Sequence, residues 1–217
     1  MGTSASQPSP RGAGWRAVRR AYIEPDVAPP AAVTRIVQAM DKDFIAGLSG
    51  APVARVLRSL LAHSSEVVVA SGDQAQLVAV ACSLREEVVE TTAARRDASR
   101  FGEIALAAAT QTVLASSRRP PGMPLARAFL GTYLAHLFAH IVGRDISRYV
   151  GRGRFTSIAE AGEFVHATEA HVVEEVNALT LAELEVAEEE EEIAQLLSDV
   201  VPRALEHLVR EEGEDAG

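Results

Sequence analysis

Residues 125–150 read LARAFLGTYLAHLFAHIVGRDISRYV, and this stretch decides the fold. With 3.6 residues per turn, one broad arc of a helix collects its large apolar side chains, which are Leu130, Leu134, Leu137, Phe138, Ile141, Val142 and Tyr149. The Gly-Arg-Gly sequence at 151–153 supplies a stop after the last of them. We therefore predict that this stretch forms the longest and most buried helix of the protein.

The same helical period recurs on both sides of that stretch. One set at i, i+3, i+4, i+7 and i+11 predicts a helix opened by Pro30, and its members are Val33, Ile36, Val37, Met40 and Phe44. A second helix is predicted from Pro52, and others over about 74–95, 101–116, 157–179 and 193–209. Short connections favour antiparallel neighbours. The sequence thus predicts an all-α, multi-helix bundle of about seven to nine helices without a significant β-sheet.

Two stretches fit this pattern less simply. Residues 66–70 (EVVVA) carry three consecutive valines, which favour a strand, but the chain offers no second strand to pair with them. We expect this stretch to be helical or irregular. Pro202 falls within the last amphipathic pattern, which is tolerable only if a helix begins near Asp199 or kinks there.

The domain organisation follows from these patterns and from the composition of the ends. We expect a disordered N-terminal tail over 1–14, which is rich in Ser, Pro and Gly, and a helical core domain over 15–179. An acidic C-terminal helical segment should occupy 180–211, followed by a disordered tail over 212–217.

Composition indicates the type of source genome and the cellular compartment of the protein. Of its 21 basic residues only one is lysine, a bias that favours a GC-rich bacterial genome. The single cysteine, Cys82, allows neither an intrachain disulfide nor a cysteine-based zinc site, which favours a reducing, cytoplasmic location. The longest apolar stretch without a formal charge, 128–143, is shorter than the ~20 residues that a membrane span requires. We expect no membrane interaction.

Charge is distributed unevenly along the chain. Residues 1–159 carry nineteen basic and twelve acidic side chains, a net charge of +7, whereas residues 160–217 carry two basic and eighteen acidic ones, a net charge of −16. The acidic run Glu188, Glu189, Glu190, Glu191 and Glu192 is either a solvated helix face or a docking surface for a basic protein. A sequence pI of about 5.2 argues against nucleic acid as the partner.

A basic group follows the long helix, with Arg144 and Arg148 at i, i+4 and Arg152 and Arg154 just beyond. Arginine binds phosphate and carboxylate groups through two parallel hydrogen bonds, so this group is a candidate partner-binding patch. The alternative is structural, because cations near a helix C-terminus complement the helix dipole.

His136 and His140 are the candidate metal ligands, because an i, i+4 pair can hold a metal from one helical face. A carboxylate from a neighbouring helix, such as Glu169 or Glu174, would complete such a site. The zincin pattern, however, needs glutamate directly after the first histidine, and position 137 is leucine. The alternative is a pair of surface or inter-helix histidines.

Signatures of other chemistry are missing from the sequence. It contains no Gly-x-Ser-x-Gly elbow, no Walker-type phosphate loop and no dinucleotide fingerprint, so we expect no catalytic residues and no cofactor. The leading hypothesis is a non-enzymatic binding or regulatory protein that acts on another protein as adaptor, inhibitor or assembly partner. The alternatives are a metal-assisted helical enzyme and a structural protein that forms homo-oligomers through its C-terminal helices.

Overall fold

The computed structural model describes residues 13–21, 24, 27–120, 122–151, 154–179 and 189–210. In these ranges the chain is an all-α bundle, as predicted, and contains no β-strand. Its helices are α1 (Ala13–Ala21), α2 (Pro29–Ala39), α3 (Lys42–Leu48), α4 (Ala51–Ala62), α5 (Ser64–Ala70), α6 (Gln74–Arg95), α7 (Arg100–Leu114), α8 (Leu125–Ile146), α9 (Ile158–Ala178) and α10 (Glu190–Arg210).

The α8 helix lies at the centre of the bundle, packed mainly against α9 and α7. Every member of its predicted apolar arc is buried except Tyr149, which is partly buried in a short 3-10 turn after the helix. Burial extends further round the helix, because Phe129 and Tyr133 are also fully buried and stack with their ring centroids 5.8 Å apart. The Tyr133 hydroxyl donates a hydrogen bond to the Leu48 carbonyl at 3.1 Å, which ties α8 to the end of α3.

The helix predicted from Pro30 through Phe44 is interrupted, so that prediction was wrong at its C-terminal end. The α2 helix ends at Ala39, and Asp41 caps α3 by accepting a hydrogen bond from the backbone N–H of Phe44 at 2.8 Å. Aspartate is among the preferred N-cap residues because its carboxylate satisfies an otherwise unpaired helix N–H. The break lets Phe44 pack edge-on against Phe101, with ring centroids 5.3 Å apart.

Residues 66–70 are helical, which confirms one of the two states expected for them. They belong to α5, where Val67 and Ala70 are buried while Val68 and Val69 face outward. One face of the helix, with Val67 and Ala70 at i and i+3, is therefore buried, and no strand pairing is needed for this run of valines.

The α10 helix runs from Glu190 to Arg210 with Pro202 inside it, so a helix start near Asp199 was wrong, and a kink there stays a prediction. Proline removes one helical hydrogen bond, but burial of a long apolar face outweighs that loss. The buried residues of this face are Ile193, Leu197, Val200, Val201, Ala204, Leu205 and Leu208. They pack against α2, α4 and α9, so α10 closes the core of its own chain.

Within the described ranges, two stretches are long and apolar enough to cross a membrane, Lys42–Ala62 and Leu125–Arg144. The first contains the break between α3 and α4, and the second is the central helix α8. At least half of each stretch is buried inside the bundle, and core helices of water-soluble proteins pass the same test. This finding therefore weighs little for or against a membrane.

The predicted domain boundaries fall largely on residues outside the described ranges. These include positions 1–12 of the N-terminal tail, 180–188 of the acidic segment and the tail over 212–217. The core domain was expected to begin at residue 15. The first helix, α1, begins two residues earlier, and its Trp15 and Val18 side chains are buried.

Candidate functional site

The acidic run at the start of α10 divides into inward-facing and outward-facing side chains. Glu190 is only 12% exposed, and its Oε1 lies 2.9 Å from Arg95 Nη1 and 3.4 Å from Arg55 Nη2. Glu189, Glu191 and Glu192 are exposed. Glu188, the remaining member of the predicted run, lies outside the described residues. The run is therefore anchored through one side chain while three others face the solvent.

Arg55 of α4 is the centre of this anchor. Its side chain is 3% exposed, and its two terminal nitrogens lie 2.9 and 2.5 Å from the two carboxylate oxygens of Asp97. This hydrogen-bonded pair raises the pKa of Arg55 and lowers the pKa of Asp97, because each charge stabilises the other. Together with the contact to Glu190, the pair joins α4, the connection between α6 and α7, and the first turn of α10.

In the predicted arginine patch, Arg154 makes its contacts within its own chain. Arg154 donates a hydrogen bond to the Val27 carbonyl, and its guanidinium lies 4.5 Å from the ring centroid of Phe164. This cation–π geometry holds Arg154 inside its own chain. Arg152 lies outside the described residues, Arg148 is exposed, and Arg144 is half-buried. A partner-binding role for these arginines stays a prediction.

His136 and His140 face an open cleft of about 360 Å³ between α7, α8 and α9, which we call the histidine cleft. Its other lining residues are Arg100, Glu103, Ile104, Ala107, Ala139 and Glu169. His136 Nε2 lies 2.6 Å from Gln111 Oε1. Both histidines are half-buried between helices. Of the two carboxylates suggested from the sequence, Glu169 lines this cleft, whereas Glu174 is exposed and does not.

Both histidines in the cleft have lowered pKa values. Burial lowers the pKa of His136, opposed in part by the charge of Glu169. Burial also lowers the pKa of His140, and the nearby Arg100 and Arg144 lower it further. Arg100 Nη2 lies 3.3 Å from His140 Nδ1 and can only donate, so Nδ1 accepts and the ring proton lies on Nε2. Two neutral imidazoles therefore face the cleft at neutral pH.

We expect the histidine cleft to make folding stability sensitive to mild acid. Each folded pKa lies below the ordinary value of about 6.5, so the unfolded chain binds protons first as the pH falls. The contribution to stability should be complete above about pH 6.5 and should be lost as the pH falls towards the folded values. Urea unfolding between pH 7 and 5 should show a shallower loss in the His136→Gln/His140→Gln variant than in the wild type. Histidine NMR titrations with both pKa values above 6.5 would contradict this expectation.

The described part of the chain provides no third ligand for a metal ion bound to His136 and His140. Among the described residues, no group of three or more His, Cys, Asp or Glu side chains is placed to hold a metal ion. Glu169 shares the cleft, but its Oε2 lies 3.2 Å from Nδ1 of His166 on its own helix. The metal site thus stays a prediction.

A second cleft, which the sequence reasoning missed, lies between α4, α6 and α7 and also measures about 360 Å³. We call it the apolar cleft. Most of its lining is apolar, including Pro52, Val56, Val88, Val89, Ala93 and Leu106. The sequence signal was present in α6, which has apolar side chains on two sides: Leu84 and Val88 are buried, whereas Val78 and Val89 are 47% and 50% exposed.

The fold and these surfaces define an all-α bundle protein with an anchored acidic surface at the start of its last helix and two open clefts. Comparisons with protein-family models, with curated proteins and with solved structures found no match.

Proposed function

We propose that this chain is a non-enzymatic binding or regulatory protein that recognises a basic surface on another protein. It would act as an adaptor, an inhibitor or an assembly partner. The observation that supports this function best is the exposure of Glu189, Glu191 and Glu192 next to the anchored Glu190. We call the three exposed side chains the acidic surface.

Anchoring matters because it reduces the cost of binding. Side chains and segments that become ordered only on association lose conformational entropy, and a prearranged surface avoids much of that loss. The contacts of Glu190 with Arg55 and Arg95 hold the first turn of α10 on the bundle. The net charge of −16 on residues 160–217 would in addition steer a basic partner towards this end of the molecule.

The packing of α10 favours recognition through its exposed carboxylates over insertion of its apolar face into a partner. Its apolar face is buried against its own chain, so insertion of that face into a groove of a partner would require α10 to detach. Recognition through the exposed carboxylates leaves the bundle intact. The same burial separates this proposal from the homo-oligomer alternative, because oligomers built on α10 would need a surface other than its apolar face.

A metal-assisted enzyme is the second candidate function. The observation that favours it is the presence of His136, His140 and Glu169 in one open cleft. Elemental analysis of protein purified without a tag and without chelator tests this candidate. Stoichiometric transition metal that disappears in the His136→Ala variant would support it, and absence of metal would refute it.

We expect the Glu189→Gln/Glu191→Gln/Glu192→Gln variant to lose the protein partner. The matched control neutralises three exposed glutamates elsewhere on the described surface, Glu86, Glu90 and Glu163. Both variants have the same net charge, so only the position of the lost charges differs. The measurement is affinity purification from cells of the source organism, at low and at physiological salt, with the wild type and both variants.

The expected result is a protein that is recovered with the wild type and with the control variant but is depleted at least tenfold with the acidic-surface variant. Recovery should fall at higher salt, because exposed charges are screened. Failure to recover a partner at either salt concentration would contradict the proposal. Equal recovery with both variants would show that the partner does not bind the acidic surface.

A further inference from the structure

We propose that the apolar cleft between α4, α6 and α7 binds a small organic carboxylate with an apolar body, such as a medium-chain carboxylate. The hydrocarbon part would lie against the valines of α6, and the carboxylate would pair with the guanidinium of Arg96, which lines the cleft. This inference does not depend on the acidic surface or on its partner.

The size and lining of the cleft fit a small ligand. Its volume of about 360 Å³ falls within the range of ~300–1,000 Å³ that is typical of small-molecule sites, which are mostly apolar with a few polar groups. Val56 and Val88 form a buried part of its wall, and Val89 and Ala93 lie nearer the solvent. An apolar chain placed there would remove both itself and these side chains from water.

The charges around the cleft favour an anion. Two of its polar lining residues are already engaged: Ser99 accepts a hydrogen bond from the N–H of Gly102 at 3.0 Å, and Glu103 pairs with Arg100 at 2.6 Å. Arg96, by contrast, has no side-chain hydrogen bond or ion pair with any residue in the described ranges. Among the described residues, the charge in the lining that lacks a counterion is therefore positive, and a carboxylate matches the geometry of a guanidinium.

The backbone at Arg96 supports the same conclusion. Arg96 ends α6 with φ 56° and ψ 34°, and it is the only non-glycine residue with positive φ in the described part of the chain. This left-handed position usually carries glycine or asparagine, because a larger side chain is strained there. A residue that serves only to end the helix would be better as glycine. The strain is accounted for if the side chain of Arg96 binds something at the cleft.

The first test compares ligands that share a chain and differ in charge. Titration calorimetry on the full-length protein would use octanoate, octan-1-ol and octylammonium. We expect octanoate to bind at least tenfold more tightly than octylammonium, with the neutral alcohol between them. Equal affinity for octanoate and octylammonium would overturn the role of Arg96, and absence of binding by all three would overturn the site.

A pair of variants on one helix tests the location. Val89→Asp places a carboxylate in the cleft and should reduce octanoate binding at least tenfold. Val78→Asp is the control, because Val78 lies eleven residues earlier on α6, points within about 20° of the same direction, and has nearly the same exposure. Equal loss of binding in the two variants would contradict the assignment.

Arg96→Gly separates loss of charge from loss of folding. Relief of the strained backbone should raise the melting temperature by about 2–4 °C, while octanoate affinity should fall at least tenfold. Arg96→Lys keeps the charge but loses the planar guanidinium, so its octanoate affinity should fall less than that of Arg96→Gly. A lower melting temperature in Arg96→Gly, or unchanged octanoate affinity, would show that Arg96 has a structural role instead.

Discussion

Replacing Arg55 by alanine is expected to lower the free energy of unfolding by about 3 kcal/mol. The side chain is 3% exposed, and its removal leaves the carboxylate of Asp97 without its partner and that of Glu190 with Arg95 alone. Breaking a buried ion pair from one side typically costs ~3–5 kcal/mol, because the remaining charge stays desolvated. We place the effect at the lower end of that range because Asp97 is 35% exposed and can regain water.

Arg95→Ala provides the matched control, because Arg95 pairs with the same glutamate from the surface. The Arg95 side chain is 50% exposed, and an exposed ion pair contributes at most about 1 kcal/mol. Urea unfolding at pH 7, followed by circular dichroism, measures both variants. If Arg55→Ala lies within 0.5 kcal/mol of the wild type, or if Arg95→Ala costs as much, then Arg55 does not anchor α10.

Replacing Phe129 by alanine is expected to lower the free energy of unfolding by about 4 kcal/mol. The ring is completely buried in the central helix and stacks on Tyr133 with an interplanar angle of 1°. Truncation removes the buried hydrocarbon and leaves a cavity that the surrounding helices fill only in part. The stacking contribution is lost at the same time.

Tyr133→Phe separates packing from hydrogen bonding at the same place. It keeps the stacked ring and removes only the hydroxyl that donates to the Leu48 carbonyl, so it should cost about 1 kcal/mol. Thermal and urea unfolding of both variants provide the comparison. A cost for Phe129→Ala no greater than that for Tyr133→Phe would show that α8 is not the central packing element.

Most of the fold could be predicted from the sequence, because helical periodicity is a local property. The long α8 helix, the α6 helix and the core-closing apolar face of α10 all followed from the spacing of apolar residues. The errors arose where two local signals competed. Asp41 acts as a cap although the apolar spacing continues to Phe44, and Pro202 is tolerated because tertiary burial outweighs one lost hydrogen bond.

The candidate site was less predictable, because it depends on contacts between residues far apart in the chain. The contacts that hold Glu190 inward come from Arg95 and from Arg55, which lie 95 and 135 residues earlier in the chain, so the run of glutamates does not reveal them. The apolar cleft combines residues from α4, α6 and α7, so the second apolar side of α6 indicated an additional contact surface but not the cleft itself. Arg96 carried no local signal at all.

The histidine cleft could be predicted in part. The i, i+4 spacing of His136 and His140 predicted that they share a helical face, and both line the cleft. The neighbouring helix contributes Glu169 and not Glu174, because the register between α8 and α9 decides which carboxylate faces α8. Helical spacing alone does not define that register.

Recognition through the acidic surface is tested by the salt dependence of the association rate constant between this protein and its captured partner, measured by stopped-flow fluorescence. If the acidic surface of α10 recruits a basic partner, the rate constant of the wild type should fall steeply as ionic strength rises. Neutralising Glu189, Glu191 and Glu192 should flatten that dependence, whereas neutralising Glu86, Glu90 and Glu163 should leave it steep. A rate constant that is independent of salt in the wild type, or equally dependent in both variants, would contradict recognition through this surface.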